Sequence, residues 1–223
     1  GVPGSTAWVE ELSIFAFIWA IYFSVSLSIK RRESIRITMF VDRVPAKYAN
    51  LVLMLNNITY LIFTTLVFVL SIRLLKLQFK FPQTTTALGI WYLIPYSILF
   101  FGFGLMTLRL IQDLWKLTKE SGVGQLLIAA AICLVLGAPV LLQMELSTTL
   151  VMVVALFVCM LLGVPIAVAL GLAGALAIYS TGYMPMNVVA QTAFTSLDNF
   201  PMLAIFFFIA AGIFMGEGGL SVQ

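Results

Sequence analysis

The sequence predicts an all-α, polytopic helical membrane protein with about six transmembrane helices. Three observations carry this. Of the 223 residues, 62% are hydrophobic and only 9% are charged, against roughly 25% charged in a typical soluble domain. The charges are confined to short segments between long apolar runs, and each run is about the length a helix needs to cross hydrocarbon. About 20 apolar residues rising ~1.5 Å each span a core of ~30 Å.

The runs follow in order. Leu12–Ile29 holds 18 residues without a charge, Tyr48–Ile72 holds 25, Phe81–Leu108 holds 28 and Ser121–Met144 holds 24. Each predicts one span. Leu146–Leu197 holds 52 uncharged residues, but Thr181-Gly182-Tyr183-Met184-Pro185 is a helix terminator, so a single fifth span is expected, with 186–198 as a connection. Asn199–Gly216, another 18 uncharged residues, is the sixth.

Lysine and arginine set the expected orientation. The flank before the first span has none. The loop after it carries Lys30, Arg31, Arg32, Arg36, Arg43 and Lys47, the next loop Arg73, Lys76 and Lys80, and the third Arg109, Lys116 and Lys119. Because basic loops stay in the cytoplasm, residue 1 is expected on the periplasmic side. Strict alternation then assigns the last two spans, which have no flanking positive charge. Trp91 and Tyr92 near one end of the third span and Trp115 near the other suit the aromatic belts of a membrane interface.

Past Gln125 the composition shifts to small residues. Gly163, Ala167, Gly171 and Ala175 recur every four residues, and Ala129, Cys133 and Gly137 repeat the pattern. Small faces let helices approach closely in lipid, where packing replaces the hydrophobic drive. Two uses fit: packing within this bundle, or docking against helices outside the chain. Pro139 and Pro165 fall inside the expected fourth and fifth spans and predict kinks. Leu162-Gly163-Val164-Pro165 reads as a static kink or as a hinge.

Several chemistries are excluded. The chain has no histidine, so histidine-ligated metals and Ser-His-Asp triads cannot be built from it. It has no G-x-x-x-x-G-K-[ST] run and so no P-loop site. Cys133 and Cys159 lie in different apolar runs and read as buried hydrophobes. The basic pI near 9.0 reflects topology-setting loops rather than a nucleic-acid surface. No carboxylate pair or nucleophile–base constellation points to an enzyme, and no resident cofactor or metal site is expected. The candidate site residues are Asp198, Asn199 and Pro201 at the mouth of the last span. Asp198 reads either as a helix cap or as an ion or substrate contact. Trp8, Glu10 and Glu11 at the mouth of the first span are candidates for scaffold or partner docking.

The residues also carry a resemblance. Trp8-Val9-Glu10-Glu11-Leu12, an apolar span, and then Lys30-Arg31-Arg32-Glu33-Ser34-Ile35-Arg36-Ile37 resemble the small membrane subunit of tripartite ATP-independent periplasmic (TRAP) transporters. Ser34 stands where that family usually has histidine, and Thr38 where an acid is common. Leu161-Leu162-Gly163-Val164-Pro165-Ile166-Ala167 and the block from Ser196-Leu197-Asp198-Asn199-Phe200-Pro201 to Met215 resemble the opening of the large TRAP subunit, with Phe206 at a usual proline. The resemblance implies a fused small-plus-large permease. Residues 1–120 would be small-subunit helices without the first, 121–145 a connecting transmembrane helix, and 146–223 the start of the large subunit. The chain is accordingly expected to be a piece of a longer protein. The resemblance further implies sodium-driven import of carboxylate-containing solutes across the bacterial inner membrane, with a periplasmic solute-binding protein, the remainder of the large subunit and membrane lipid as partners. Sodium would be an ion of the complete transporter, and this part of it mainly scaffold. The alternative is a transport-inert scaffold or subunit-assembly protein.

Overall fold

A computed structural model describes residues 6–31, 46–141 and 147–218, with side chains for 6–29, 49–138 and 147–218. The named elements among the described residues are all helices: α1 (Ala7–Arg31), α2 (Ala46–Lys80), α3 (Leu93–Ser121), α4 (Val123–Leu141), α5 (Thr148–Leu161), α6 (Ile166–Thr181), α7 (Asn187–Thr195) and α8 (Phe200–Glu217). Four of these, α1, α2, α3 and α8, are long and apolar enough to cross a membrane, while α4, α5 and α6 are apolar but shorter. The helical membrane class read from the sequence is the observed one.

The first three helices form an up-down-up core with α3 in the middle. Phe79 of α2 meets Trp91 edge-on at 5.1 Å, and Phe68 stacks on Phe100 at 5.1 Å. Leu117 closes the other end against Met54 and Leu55, so α2 and α3 are antiparallel. Helix α1 runs parallel to α3, with Tyr22 on Phe103 at 5.4 Å. Gly102 makes this approach possible: a Cβ there would lie 2.9 Å from the Tyr22 Cβ. Between α2 and α3 the chain turns through a small bridge pairing Thr84 with Trp91. Glu11 of α1 clasps that turn, its carboxylate accepting from the backbone N–H of Ala87 at 3.2 Å and of Leu88 at 2.6 Å.

Gly122, at φ +86°, ends α3, and α4 returns along α2. Ala129 is fully buried there beside Met54 and Leu55, and the Cys133 Sγ lies 3.9 Å from the Thr59 hydroxyl. The expected small-residue contact of this helix is thus made against α2.

The fifth span departs from expectation. The sequence reading has one helix kinked at Pro165, but the chain stops at Leu161 and restarts at Ile166. Gly163 adopts φ +71°; its N–H donates to the Met160 carbonyl and the Val164 N–H to the Cys159 carbonyl, each at 3.0 Å. These bonds make a Schellman motif, a full helix terminator. Pro165 then precedes α6, its carbonyl accepting from Val168 and Ala169 at 2.9 Å. Helices α5 and α6 pack side by side as a hairpin whose tip is held by α2: the Asn56 side chain donates to the Gly163 carbonyl at 2.9 Å. The arms have 14 and 16 residues, or ~21 and ~24 Å, each shorter than ~30 Å of hydrocarbon.

Two further differences follow. The expected connection 186–198 contains α7, whose Phe194 is fully buried. Helix α8 starts at the end of the bundle that holds Glu11 and Tyr92, both of which act electrostatically with Asp198. It then passes Phe17, whose ring lies 5.1 Å from that of Phe206. It therefore runs parallel to α1, opposite to the direction alternation assigned. Pro139 lies within the α4 helical assignment, which continues to Leu141 without a break; its side chain falls outside the described set.

Candidate functional site

The residues singled out at the α7–α8 junction come together with the mouth of α1. Phe194 inserts between Phe15, at 6.3 Å, and Tyr96, at 4.7 Å. The Tyr22 hydroxyl donates to the Ala193 carbonyl at 2.6 Å. These anchors, with the packing of α7 along α2, hold it against the first three helices and so position Ser196–Pro201. The cap of α8 is Asn199 rather than Asp198. Its side-chain oxygen accepts from the Met202 N–H at 3.1 Å, and its amide donates to the Ser196 carbonyl at 2.7 Å. Pro201 sits in the first turn of α8, where its missing N–H costs no helical bond.

The cap is supplied by its neighbour, and the Asp198 carboxylate lies within electrostatic reach of Tyr92, Tyr96 and Glu11. Partial burial, and then the nearby Glu11 carboxylate, push its pKa above the ordinary aspartate value. Burial and a like charge within reach both favour the protonated form of a carboxyl group. Among the described residues, no group of three or more acidic or cysteine side chains could hold a metal ion.

The other candidates separate. Trp8 is 52% exposed and Glu10 is exposed at the same mouth, while Glu11 is spent on the turn at Ala87 and Leu88. Of the stripe of small residues, Ala167, Gly171 and Ala175 share one face of α6 and line one groove, while Gly163 falls outside the helix, in the break. Ala175 is buried and Ala167 is exposed. Gly171 faces Phe63 so closely that a Cβ there would lie 2.5 Å from the ring. Sequence reading missed Tyr22, Asn56, Phe63 and Phe194. A signal existed for Asn56, since a side-chain amide inside a 25-residue apolar run needs a partner on another helix.

Comparison with known proteins adds the family. The model for tripartite ATP-independent periplasmic transporters, DctQ component, matches residues 2–120. The model for the DctM component of the same transporters matches residues 153–223. The chain is 41% identical over 217 residues to the isethionate TRAP transporter permease protein DctMQ of Oleidesulfovibrio alaskensis; the match covers 97% of this chain and 34% of that protein. It is also 40% identical over 52 residues, 23% of this chain and 12% of the other, to the uncharacterised protein y4mL of Sinorhizobium fredii. The chain thus spans about a third of the length of its fused relative. Small-component and large-component sequences in order on one helical membrane chain make it a member of the TRAP transporter permease family, of the fused DctQ–DctM type.

Proposed function

We propose that this chain is the scaffold portion of a secondary transporter that imports small organic anions, driven by sodium and fed by a periplasmic solute-binding protein. The observation that carries the reading is the ordered pair of component matches, supported by 41% identity to a fused permease. The resemblance implies a carboxylate solute. The relative is named for isethionate, a sulfonate, so the shared chemistry is a small organic acid anion. Residues 1–120 act as the small component, 121–145 as the connecting transmembrane helix, and 146–223 as the start of the large component. Residue 1 lies on the periplasmic side of the inner membrane, a reading that the basic loop at Lys30–Lys47 supports. Trp8 and Glu10 belong to a docking surface at that mouth, and Asp198, Asn199 and Pro201 contact the moving part of the complete transporter.

The test is uptake by the permease in liposomes with its binding protein supplied outside. Import should follow an inward sodium gradient and be competed by carboxylates or sulfonates of similar size. Uptake that survives collapse of the sodium and proton gradients but requires ATP would overturn the proposal. A transport-inert scaffold, the other reading, predicts no uptake under any gradient while partner binding persists.

A further inference from the structure

A groove of about 1060 Å³ lies between α1–α3 on one side and α6–α7 on the other. Its walls are apolar, with Val25, Phe63 and Met106 facing Ala167, Gly174 and Ile178. Phe63 fills the notch at Gly171, but one turn further along nothing lies within 4 Å of where a Gly174 Cβ would be. The groove reaches from Pro165 to Ile178 along α6, ~20 Å at ~1.5 Å per residue. One leaflet of hydrocarbon is ~15 Å, half of a ~30 Å core. Val25 and Ala167 stay exposed on the rim, so the groove opens sideways to the membrane.

Charge distinguishes its two ends. At one, Ser196 and Leu197 on the wall adjoin Asp198, which lies within electrostatic reach of Glu11. At the other, Ser28 on the wall is followed by Lys30 and Arg31 in the last turn of α1, and Met106 by Arg109 one turn on in α3, with Asp113 beyond it. The first end repels an anion. The second attracts one, as basic positions beside a transmembrane groove do for lipid phosphate.

We propose that this groove is a binding site for an anionic phospholipid, with an acyl chain lying along Gly174 and the phosphate at the Lys30–Arg31 end. The lipid fills the seam between the two halves of the chain where side chains leave it open, and it completes their packing.

The experiment compares dioleoyl-phosphatidylglycerol with dioleoyl-phosphatidylcholine on the purified permease, by melting temperature in detergent and by native mass spectrometry. Phosphatidylglycerol should raise the melting temperature by about 3 °C more than phosphatidylcholine. Gly174→Leu should leave the lipid-free melting temperature unchanged while cutting retention of both lipids by about tenfold. Lys30→Gln with Arg31→Gln should keep retention of phosphatidylcholine and abolish the preference for phosphatidylglycerol. Equal effects of the two lipids on the unaltered protein would overturn the proposal, as would wild-type lipid retention by Gly174→Leu. If Gly174→Leu lowers the lipid-free melting temperature, Ala167→Leu fills the same groove from its exposed rim and is judged by the same retention.

Discussion

At the scale of single residues, two positions separate packing from charge. Gly171 lets α6 close on Phe63, and a Cβ there would sit at 2.5 and 2.7 Å from ring atoms. Gly171→Leu should therefore cost about 1–3 kcal/mol through overpacking, seen as a lower melting temperature in detergent; an unchanged value would show that the contact is loose. Asp198 carries the opposite lesson. Its pKa is raised by burial and by Glu11, so the fold favours its protonated form. Its contribution is stabilising below the ordinary aspartate value and is lost as pH rises through the raised one. At neutral pH the charge is a liability to the fold, and Asp198→Asn should raise the melting temperature at pH 7. The gain should shrink towards pH 4. A loss of stability at pH 7 would instead mean that the carboxylate serves a cation or donor when the permease works. Asn199 was the readable neighbour passed over: asparagine followed two positions later by proline in the first turn is as good a cap signal as aspartate, and Asn199 is the residue that caps.

At the scale of elements, the α5–α6 hairpin is the main departure from expectation. Its signals were in the sequence. Glycine just past the last helical residue and proline two positions on mark a helix C-terminus, yet the run of 52 uncharged residues reads more simply as a kinked span. Hydropathy counts apolar length and is blind to a chain that doubles back inside it, because both arms are equally apolar. What decides the matter lies elsewhere in the sequence, in Asn56, which reaches the tip carbonyl at 2.9 Å. The long spans α1, α2 and α3 were legible because each is bounded by charges that cannot enter the membrane. The hairpin predicts that Ser147 and Gly182, at the outer ends of its two arms, lie on one face. Single cysteines at these positions should both react with an impermeant thiol reagent added from the periplasmic side, once Cys133 and Cys159 are replaced by alanine. Labelling of one only from that side would restore the single kinked span.

At the scale of the whole molecule, two polar bonds and an aromatic plug are among the contacts that, in the described residues, join the first three helices to the last four. Asn56 holds the hairpin tip, Tyr22 holds α7 through the Ala193 carbonyl, and Phe194 fills the space between Phe15 and Tyr96. Interhelical hydrogen bonds in membranes are worth about 0.6 kcal/mol on average and up to about 1.7. Asn56→Ala and Tyr22→Phe share no partner, so their losses should add, and the double variant should melt lower than either single one by the sum. A double variant no less stable than the worse single would mean that both bonds hold one cooperative contact. The reversal at Leu162–Pro165 has a consequence of another kind. Each crossing of the bilayer exchanges inside for outside, and a hairpin that enters and leaves by the same face counts as even where a straight span counts as odd. Four residues thus act as a parity element for everything that follows. If Gly163 could not adopt its left-handed turn and α5 ran on into α6, α8 and any later helix would be delivered to the opposite face, with every side chain intact and every one facing the wrong compartment.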